Sequence, residues 1–390
     1  MMKMPREMSM TKLLPVPMFD FQREFAAIRG PVLAAIEAVC SSQRFILGPE
    51  VERFEGAAAA FCGVEAAVGC ASGTDALWLA LAAFKIGPGD KVITTPFSFF
   101  ATVSAILRAG ATPVLADIDE RTFNLSPEAV AQVFERDRVA AVLPVHLYGQ
   151  CADMSAFGEL AKTHGAKVIE DAAQAFGATW NRVRVGALGD AAAFSFYPTK
   201  NLAAFGDAGM VTTNNAAVAE QLRMLRAHGM KKRYFHEEVG WNSRLDTIQA
   251  AVLEVKLTRV EAGNARRREL AALYDRLFRA AGLTGTTTAE GLVLPFSDPR
   301  AKHVFHQYVI RAPRRDELRA FLTENGIGTE VYYPLPLHLQ PALRSLGYRQ
   351  GDFPVAERAA AEVLALPIYP ELRDEEVENV VEGVRRFYQG

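Results

Sequence analysis

From residue 66 onward, short apolar runs alternate with longer stretches whose apolar residues recur at helical spacing. The runs cover 66–70, 91–95, 112–116, 140–146, 167–170, 191–196 and 210–213, and helical stretches at 74–84, 98–108, 127–134 and 154–164 fall between most of them. Seven strands joined by helical crossovers predict a mostly parallel sheet between helices. The link 201–210 is too short for a helical crossover, so the last strand should run antiparallel to its predecessor or be separated from it in a mixed sheet. Upstream, Phe25, Ile28, Val32, Ile36 and Val39 mark a helix over 21–40, broken by Gly30-Pro31, and a second helix covers 50–61. Helices follow at 216–228, 243–261 and 265–281. After Gly282 short strands (292–295, 303–311, 330–333) mix with helices (315–325, 355–366, 374–388). The expected architecture is a large α/β domain, 1–250, and a smaller α+β domain, 251–390. A long helix around 247–261 links them, and 1–13 form a loose lead-in.

Composition narrows the classes. Of 390 residues half are hydrophobic and 23% charged, enough for a sizeable core. A net charge of −2 does not fit a nucleic-acid binder. Lys231-Lys232-Arg233 and Arg266-Arg267-Arg268 read as solvated helix faces, the first alternatively as a contact for a phosphate-bearing substrate. The four cysteines, Cys40, Cys62, Cys70 and Cys151, lack metal-ligand spacing and read as buried thiols in a reducing compartment, with no metal expected. No run of membrane-spanning length or signal-peptide pattern stands out, so the expected location is cytoplasmic, away from membranes.

The stretch 167–202 concentrates the chemistry. One apolar run ends in Glu170-Asp171, and another ends in Ser195-Phe196-Tyr197-Pro198-Thr199-Lys200. Strand ends in open α/β sheets are where ligands sit. An acid and an amine delivered there suit a pyridine cofactor, the acid for the ring nitrogen and the lysine for the aldehyde. Alone, Lys200 reads as a turn lysine and Asp171 as a helix cap. Gln174, one helical turn past Asp171, suits a ring hydroxyl. Ala71-Ser72-Gly73-Thr74-Asp75 joins a strand to a helix, which is a phosphate cradle or an ordinary capped start, and Ser195 adds a hydroxyl. Phe99 suits stacking on a ring, whereas Phe97 and Phe100 read as core. Asn242 and Arg244 precede a helix, as caps or as anion contacts. Tyr332-Tyr333 and His338 lie in a proline-rich segment that reads as a substrate-facing loop or a rigid connection. Together these supply each part of a pyridoxal 5′-phosphate site.

These stretches resemble the DegT/DnrJ/EryC1/StrS sugar aminotransferases, within the fold-type I pyridoxal phosphate enzymes. The matching segments are ASGTDAL (71–77), VHLYGQ (145–150), EDAAQAFGA (170–178), SFYPTKNL (195–202), GDAG (206–209), NSRLDTIQAA (242–251) and VYYPLPLHLQ (331–340). The resemblance implies that Lys200 is the Schiff-base lysine, that Asp171 pairs with the pyridinium nitrogen, and that Gln174 lies near the ring hydroxyl. It implies further that Phe99 stacks on the ring, that Gly73, Thr74 and Ser195 contact phosphate, and that Asn242 reaches it from the neighbouring subunit of a homodimer. Ala208 and Phe176 depart from the commoner glycine and histidine. Lysine at 200, where dehydrating relatives carry histidine, favours transamination. The implied reaction moves an amino group from L-glutamate, which leaves as 2-oxoglutarate, to C3 of a nucleotide-linked keto sugar. C4 amination, dehydration and a cofactor-binding regulator are the alternatives. The sugar, the nucleotide and the pathway (O-antigen, another glycan or an antibiotic sugar) stay open.

Overall fold

The computed structural model describes residues 13–389. The expected lead-in therefore falls outside the described residues except Leu13, which is buried in a core cluster beside Gly383 rather than loose. Helix α1 (Phe21–Ser42) opens on Asp20, whose carboxylate accepts the N–H groups of Gln22 and Arg23. It runs unbroken through Gly30-Pro31, against the expected interruption. Pro31 removes one helical donor, but it and Ala27 lie on the exposed face, where water serves the freed carbonyl. By length and composition α1 is long and apolar enough to cross a membrane, with mean hydropathy 1.3. Here it lies on the protein itself: Ile28 and Val32 pack with Val252, Glu24 pairs with buried Lys256 at 2.7 Å, and Arg23 holds Glu376 through two 2.8 Å bonds.

Next come α2 (Pro49–Cys62), β1 (Ala66–Cys70), α3 (Gly73–Ala83), β2 (Lys91–Thr94), α4 (Ala101–Arg108), β3 (Thr112–Leu115), α5 (Pro127–Arg136), β4 (Ala141–Val142), α6 (Met154–His164) and β5 (Lys167–Asp171). A small hairpin, β6 (Thr179–Trp180) and β7 (Val183–Arg184), precedes β8 (Ala191–Ser195) and β9 (Gly209–Thr213). The main sheet has seven strands in the order β1-β9-β8-β5-β4-β2-β3. All are parallel except β9, which runs antiparallel to both β1 and β8. The short connection after β8 thus acts as expected, and β9 slots between β1 and β8. Along β8, Ala192 and Phe194 enter the core under α2, α5 and α6, while Ala191 and Ala193 enter the core under α3, α4 and α7 (Ala216–Leu225).

A hairpin, β10 (Met230–Lys232) and β11 (Phe235–His236), leads to α8 (Thr247–Leu257) and α9 (Val260–Ala280). The helix break falls at Thr258-Arg259, not at the expected 262–264, so the long helix is α9. Gly263 and Asn264 resemble a turn in sequence, but Gly263 fits against Pro370 and Asn264 bonds the carbonyl of Phe176 at 3.0 Å. The remaining elements are β12 (Ala301–Lys302), β13 (Tyr308–Arg311), α10 (Arg315–Glu324), α11 (Pro354–Glu362), β14 (Val363–Leu366) and α12 (Asp374–Gln389). The helix expected over 355–366 stops at Glu362, because Val363–Leu366 pair antiparallel with β13. These four residues are fully buried, and pairing with β13 overrides the helical preference of a run with one β-branched residue, Val363. The strands expected at 292–295 and 330–333 are reduced to isolated bridges, Val293 with Arg311 and Glu330 with Ala365.

Candidate active site

Small side chains let α3 lie close on β8. A Cβ on Gly73 would sit 2.5 Å from the Cβ of Ser195, and one on Gly209 would sit 2.2 Å from the carbonyl oxygen of Ser72. The ends of β8 and β9 therefore converge on the start of α3 with no room for a larger residue. Ser72 caps that helix by accepting the N–H of Asp75 at 3.1 Å. The other first-turn N–H groups, at half-buried Gly73 and Thr74, have no helical partner and point outward with the positive end of the helix dipole.

Beside this cradle stand the acid and the amine. Asp171 ends β5 and is buried; its Oδ2 accepts from the Thr102 hydroxyl at 2.8 Å and its Oδ1 from the N–H of Ala173 at 3.2 Å. Burial raises its pKa above the usual carboxylate value, opposed by the Thr102 hydrogen bond and the charge of Lys200. Lys200 follows β8 in a turn closed by its N–H on the Tyr197 carbonyl at 2.8 Å. Burial lowers its amine to about 8, against the opposing pull of Asp171. Glu170 faces away: its carboxylate accepts from the N–H groups of Gly186, Leu188 and Gly189 at 2.9–3.1 Å and from His146 Nε2 at 3.0 Å. His146 Nδ1 accepts from Ala152, which leaves the ring proton on Nε2. Of the two adjacent acids, only Asp171 meets Lys200.

Gln174 bridges two segments, accepting from the N–H of Tyr148 at 2.7 Å and donating to the Tyr333 hydroxyl at 3.1 Å. The Tyr333 ring centroid is 6.3 Å from that of Phe99, whose own ring is 59% exposed and free to cover a ligand. Burial raises the phenols of Tyr333 and half-buried Tyr332. The Tyr148 hydroxyl donates to the Tyr332 carbonyl, and Leu337 N–H bonds Pro96 at 2.7 Å, so the 331–340 segment closes on the strand end that carries Phe99. Phe97 is core as expected; Phe100 is 37% exposed and is not.

Asn242 and Arg244 line a cleft of about 450 Å³ with Ala71, Asp207 and Ile46, beside the cradle, where Ser243 Oγ donates to Asp75 and accepts the Ala71 N–H. His338 is enclosed, with Nε2 3.0 Å from Glu357 and its ring against Phe353. A depression of about 400 Å³ between α7 and the β10–β11 hairpin includes none of these residues. Sequence reasoning missed Thr102 and His306. Thr102 had a signal, since Ser98 and Thr102 are one helical turn apart and their hydroxyls meet at 2.8 Å. His306 had none.

An open α/β sheet that delivers a depressed-pKa lysine and a buried acid beside a helix N-terminus is the architecture of a fold-type I pyridoxal phosphate-dependent transferase. The chain belongs to the DegT/DnrJ/EryC1/StrS aminotransferase family, which it matches over residues 27–385. It is 50% identical over 375 residues to a pleiotropic regulatory protein of Geobacillus stearothermophilus, covering 96% of this chain and 99% of that one. It is 44% identical over 372 residues to the dTDP-3-amino-3,4,6-trideoxy-α-D-glucose transaminase of Streptomyces venezuelae, covering 95% and 96%. Among solved structures it superposes on S. venezuelae DesV in complex with a ketimine intermediate, with TM-score 0.92, 44% identity and coverage of 97% and 100%. It also superposes on NtdA of Bacillus subtilis with bound cofactor PMP, with TM-score 0.88, 29% identity and coverage of 98% and 87%.

Proposed function

We propose that this enzyme is a pyridoxal 5′-phosphate-dependent transaminase that moves an amino group from L-glutamate to C3 of a nucleotide-linked keto sugar. The observation that carries this reading is the Asp171–Lys200 pair beside the Gly73–Ser195 cradle. The transaminase name of the S. venezuelae relative supports the sugar and its C3 position. The residues present fit the cofactor. The cradle has outward N–H groups and no room for a Cβ, the acid is buried and hydrogen-bonded, and the lysine is part-neutral near neutral pH.

When bound, the cofactor supplies an electron-accepting pyridine ring and an aldehyde carbon. In this reading the first-turn N–H groups at Gly73 and Thr74, with the Ser195 hydroxyl, hold the phosphate. Asp171 would keep the proton on the ring nitrogen, and the Thr102 hydrogen bond aims Asp171 and favours its ionised form against burial. Gln174 spends one amide N–H on Tyr333 and keeps the other for the ring hydroxyl. Phe99 covers one face of the ring. Lys200 would hold the aldehyde carbon and, as a free amine, would move the proton at the donor Cα, a task suited to an amine lowered to about 8.

Arg244 and Tyr332 are the proposed substrate contacts. His338, enclosed against Glu357, serves by holding the 331–340 loop. Asn242 is exposed on the cleft it shares with Ala71 and Asp207, a position open to a second copy, which supports the homodimer. The core beneath α9–α12 draws mostly on residues after 270 and runs on into Phe97, Leu115 and Tyr148, which supports a smaller unit over 251–390 packed on the larger one over 1–250.

The test is the visible spectrum of the protein loaded with pyridoxal phosphate, before and after L-glutamate. The expected band collapses with glutamate and returns with 2-oxoglutarate; no band at all overturns the assignment of Lys200 and Asp171. The name of the G. stearothermophilus relative favours a second reading, a regulator, and a band indifferent to every amino donor would select it.

A further inference from the structure

The residue after the lysine is held from three sides, none of them its own strand. Asn201 Nδ2 donates to Asn264 Oδ1 on α9 at 2.7 Å and to the Val304 carbonyl at 3.2 Å. With both amide hydrogens engaged, Oδ1 faces Nδ1 of His306 at 3.1 Å. An oxygen cannot donate there, so the imidazole proton sits on Nδ1 and points at Asn201. The partners are themselves fixed. Asn264 Nδ2 donates to Phe176 O at 3.0 Å, and Val304 N–H donates to Gly149 O at 3.0 Å. Arg267, buried on α9, donates to the carbonyls of Phe305 and His306 in this segment and of Ile368 before α12. Gly149 has φ +98°, and a Cβ there would lie 2.9 Å from the His306 nitrogen, so the segment sits directly on the backbone after β4.

We infer that Asn201 and His306 form a positioning clasp for Lys200, fixing the lysine backbone from outside its strand so that the side chain stays in the buried position facing Asp171. Lys200 lies in a turn with neither helix nor strand to hold it. Phe196, Leu202 and Ala204 anchor the turn in the core on either side, and the clasp holds the residue directly after the lysine. The charged groups around the pair are Asp171 on β5, Lys200 itself and Arg267 on α9. Burial and the two cations hold His306 well below the usual imidazole value, so the clasp adds no charge beside the amine. The inference rests on the reading of Lys200 as the cofactor-linking lysine.

The experiment is acylation of the purified full-length chain, freed of bound pyridoxal phosphate, across pH, with the Lys200 peptide quantified by mass spectrometry, in the parent and in His306→Leu, His306→Asn and Asn201→Ala. The asparagine amide can present a donor where Nδ1 stood; leucine cannot. In the parent and His306→Asn the Lys200 midpoint should stay near 8. In His306→Leu and Asn201→Ala it should rise by about one unit as the amine gains water. An unmoved midpoint in a folded His306→Leu or Asn201→Ala chain overturns the clasp, as does a risen midpoint in His306→Asn equal to that of leucine. If His306→Leu does not fold, Asn201→Ala measured against His306→Asn decides. Borohydride fixation of pyridoxal phosphate to the parent separates the two readings. No label on Lys200 defeats the cofactor assignment, whereas a labelled Lys200 with an unmoved midpoint in the variants defeats the clasp alone.

Discussion

The Thr102 hydroxyl donates to Oδ2 of Asp171 across 2.8 Å, and Ser98 lies 2.8 Å behind it, so the acid is aimed by a two-hydroxyl chain that runs from the loop before α4 to its first turn. This bond is the largest influence opposing the burial that raises the acid's pKa. Thr102→Val keeps the shape and removes the donor. The folded-state pKa should then climb further, so Asp171 takes up its proton at higher pH. The acid limb of the glutamate half-reaction should move upward by about one unit, equivalent to a charged hydrogen bond of about 1.5 kcal/mol. Stability follows the same sign. A carboxyl raised above its unfolded value costs stability as pH rises from the unfolded to the folded value, and Thr102→Val widens that window. Stopped-flow rates and urea melts from pH 5 to 8 measure both; an acid limb that does not move contradicts the assigned role of Thr102.

Gly73→Ala tests the cradle. The added methyl would meet Ser195 Cβ at 2.5 Å, with its backbone close behind, so the start of α3 and the end of β8 must separate. Overpacking of this kind costs about 1–3 kcal/mol. Because the displaced atoms are the proposed phosphate donors, affinity for pyridoxal phosphate should fall by about tenfold or more. Spectrophotometric titration and a denaturant melt read the two effects separately.

Lys200→Ala should abolish both half-reactions, with kcat reduced by at least about a thousandfold, because the proposed proton carrier is gone. The chain should stay folded, since the Lys200 side chain makes no hydrogen bond among the described residues. Single-turnover assays with glutamate check the chemistry and circular dichroism checks the fold. Surviving turnover counts against the mechanism.

The sheet was legible in the sequence because each parallel strand, buried on both faces, is a compact apolar run bounded by turn residues. The antiparallel β9 was legible because Asn201–Ala208 leaves no room for a crossover helix. Asp171, Lys200 and Gln174 were legible because their positions relative to strand ends fix where they point. What failed to show were long-range uses of polar residues. Asn264 looks like a helix end in sequence, yet it sits inside α9 because Phe176 and Asn201 bond its amide. His306 is adjacent to nothing informative in the chain and becomes meaningful only when the segment before β13 docks on Gly149. Val363–Leu366 extends the apparent helical pattern of α11, and only its pairing with β13 makes it a strand.

Glu55 and Arg226 form a buried ion pair whose loss should cost stability. Arg226 donates through Nη1 to Glu55 and to the Gly69 carbonyl at 2.6 Å, and Glu55 accepts the Gly69 N–H at 2.7 Å. Both side chains are buried, so α2, β1 and the end of α7 meet on one ion pair just ahead of the phosphate cradle. Glu55→Ala leaves a guanidinium buried without its counter-charge and the Gly69 N–H without its acceptor. Breaking such a pair from one side costs about 3–5 kcal/mol. The double replacement Glu55→Leu with Arg226→Met should recover much of that loss, because no uncompensated charge remains. A melt in which the double variant is no more stable than Glu55→Ala would show that the pair contributes through geometry at Gly69 rather than through charge.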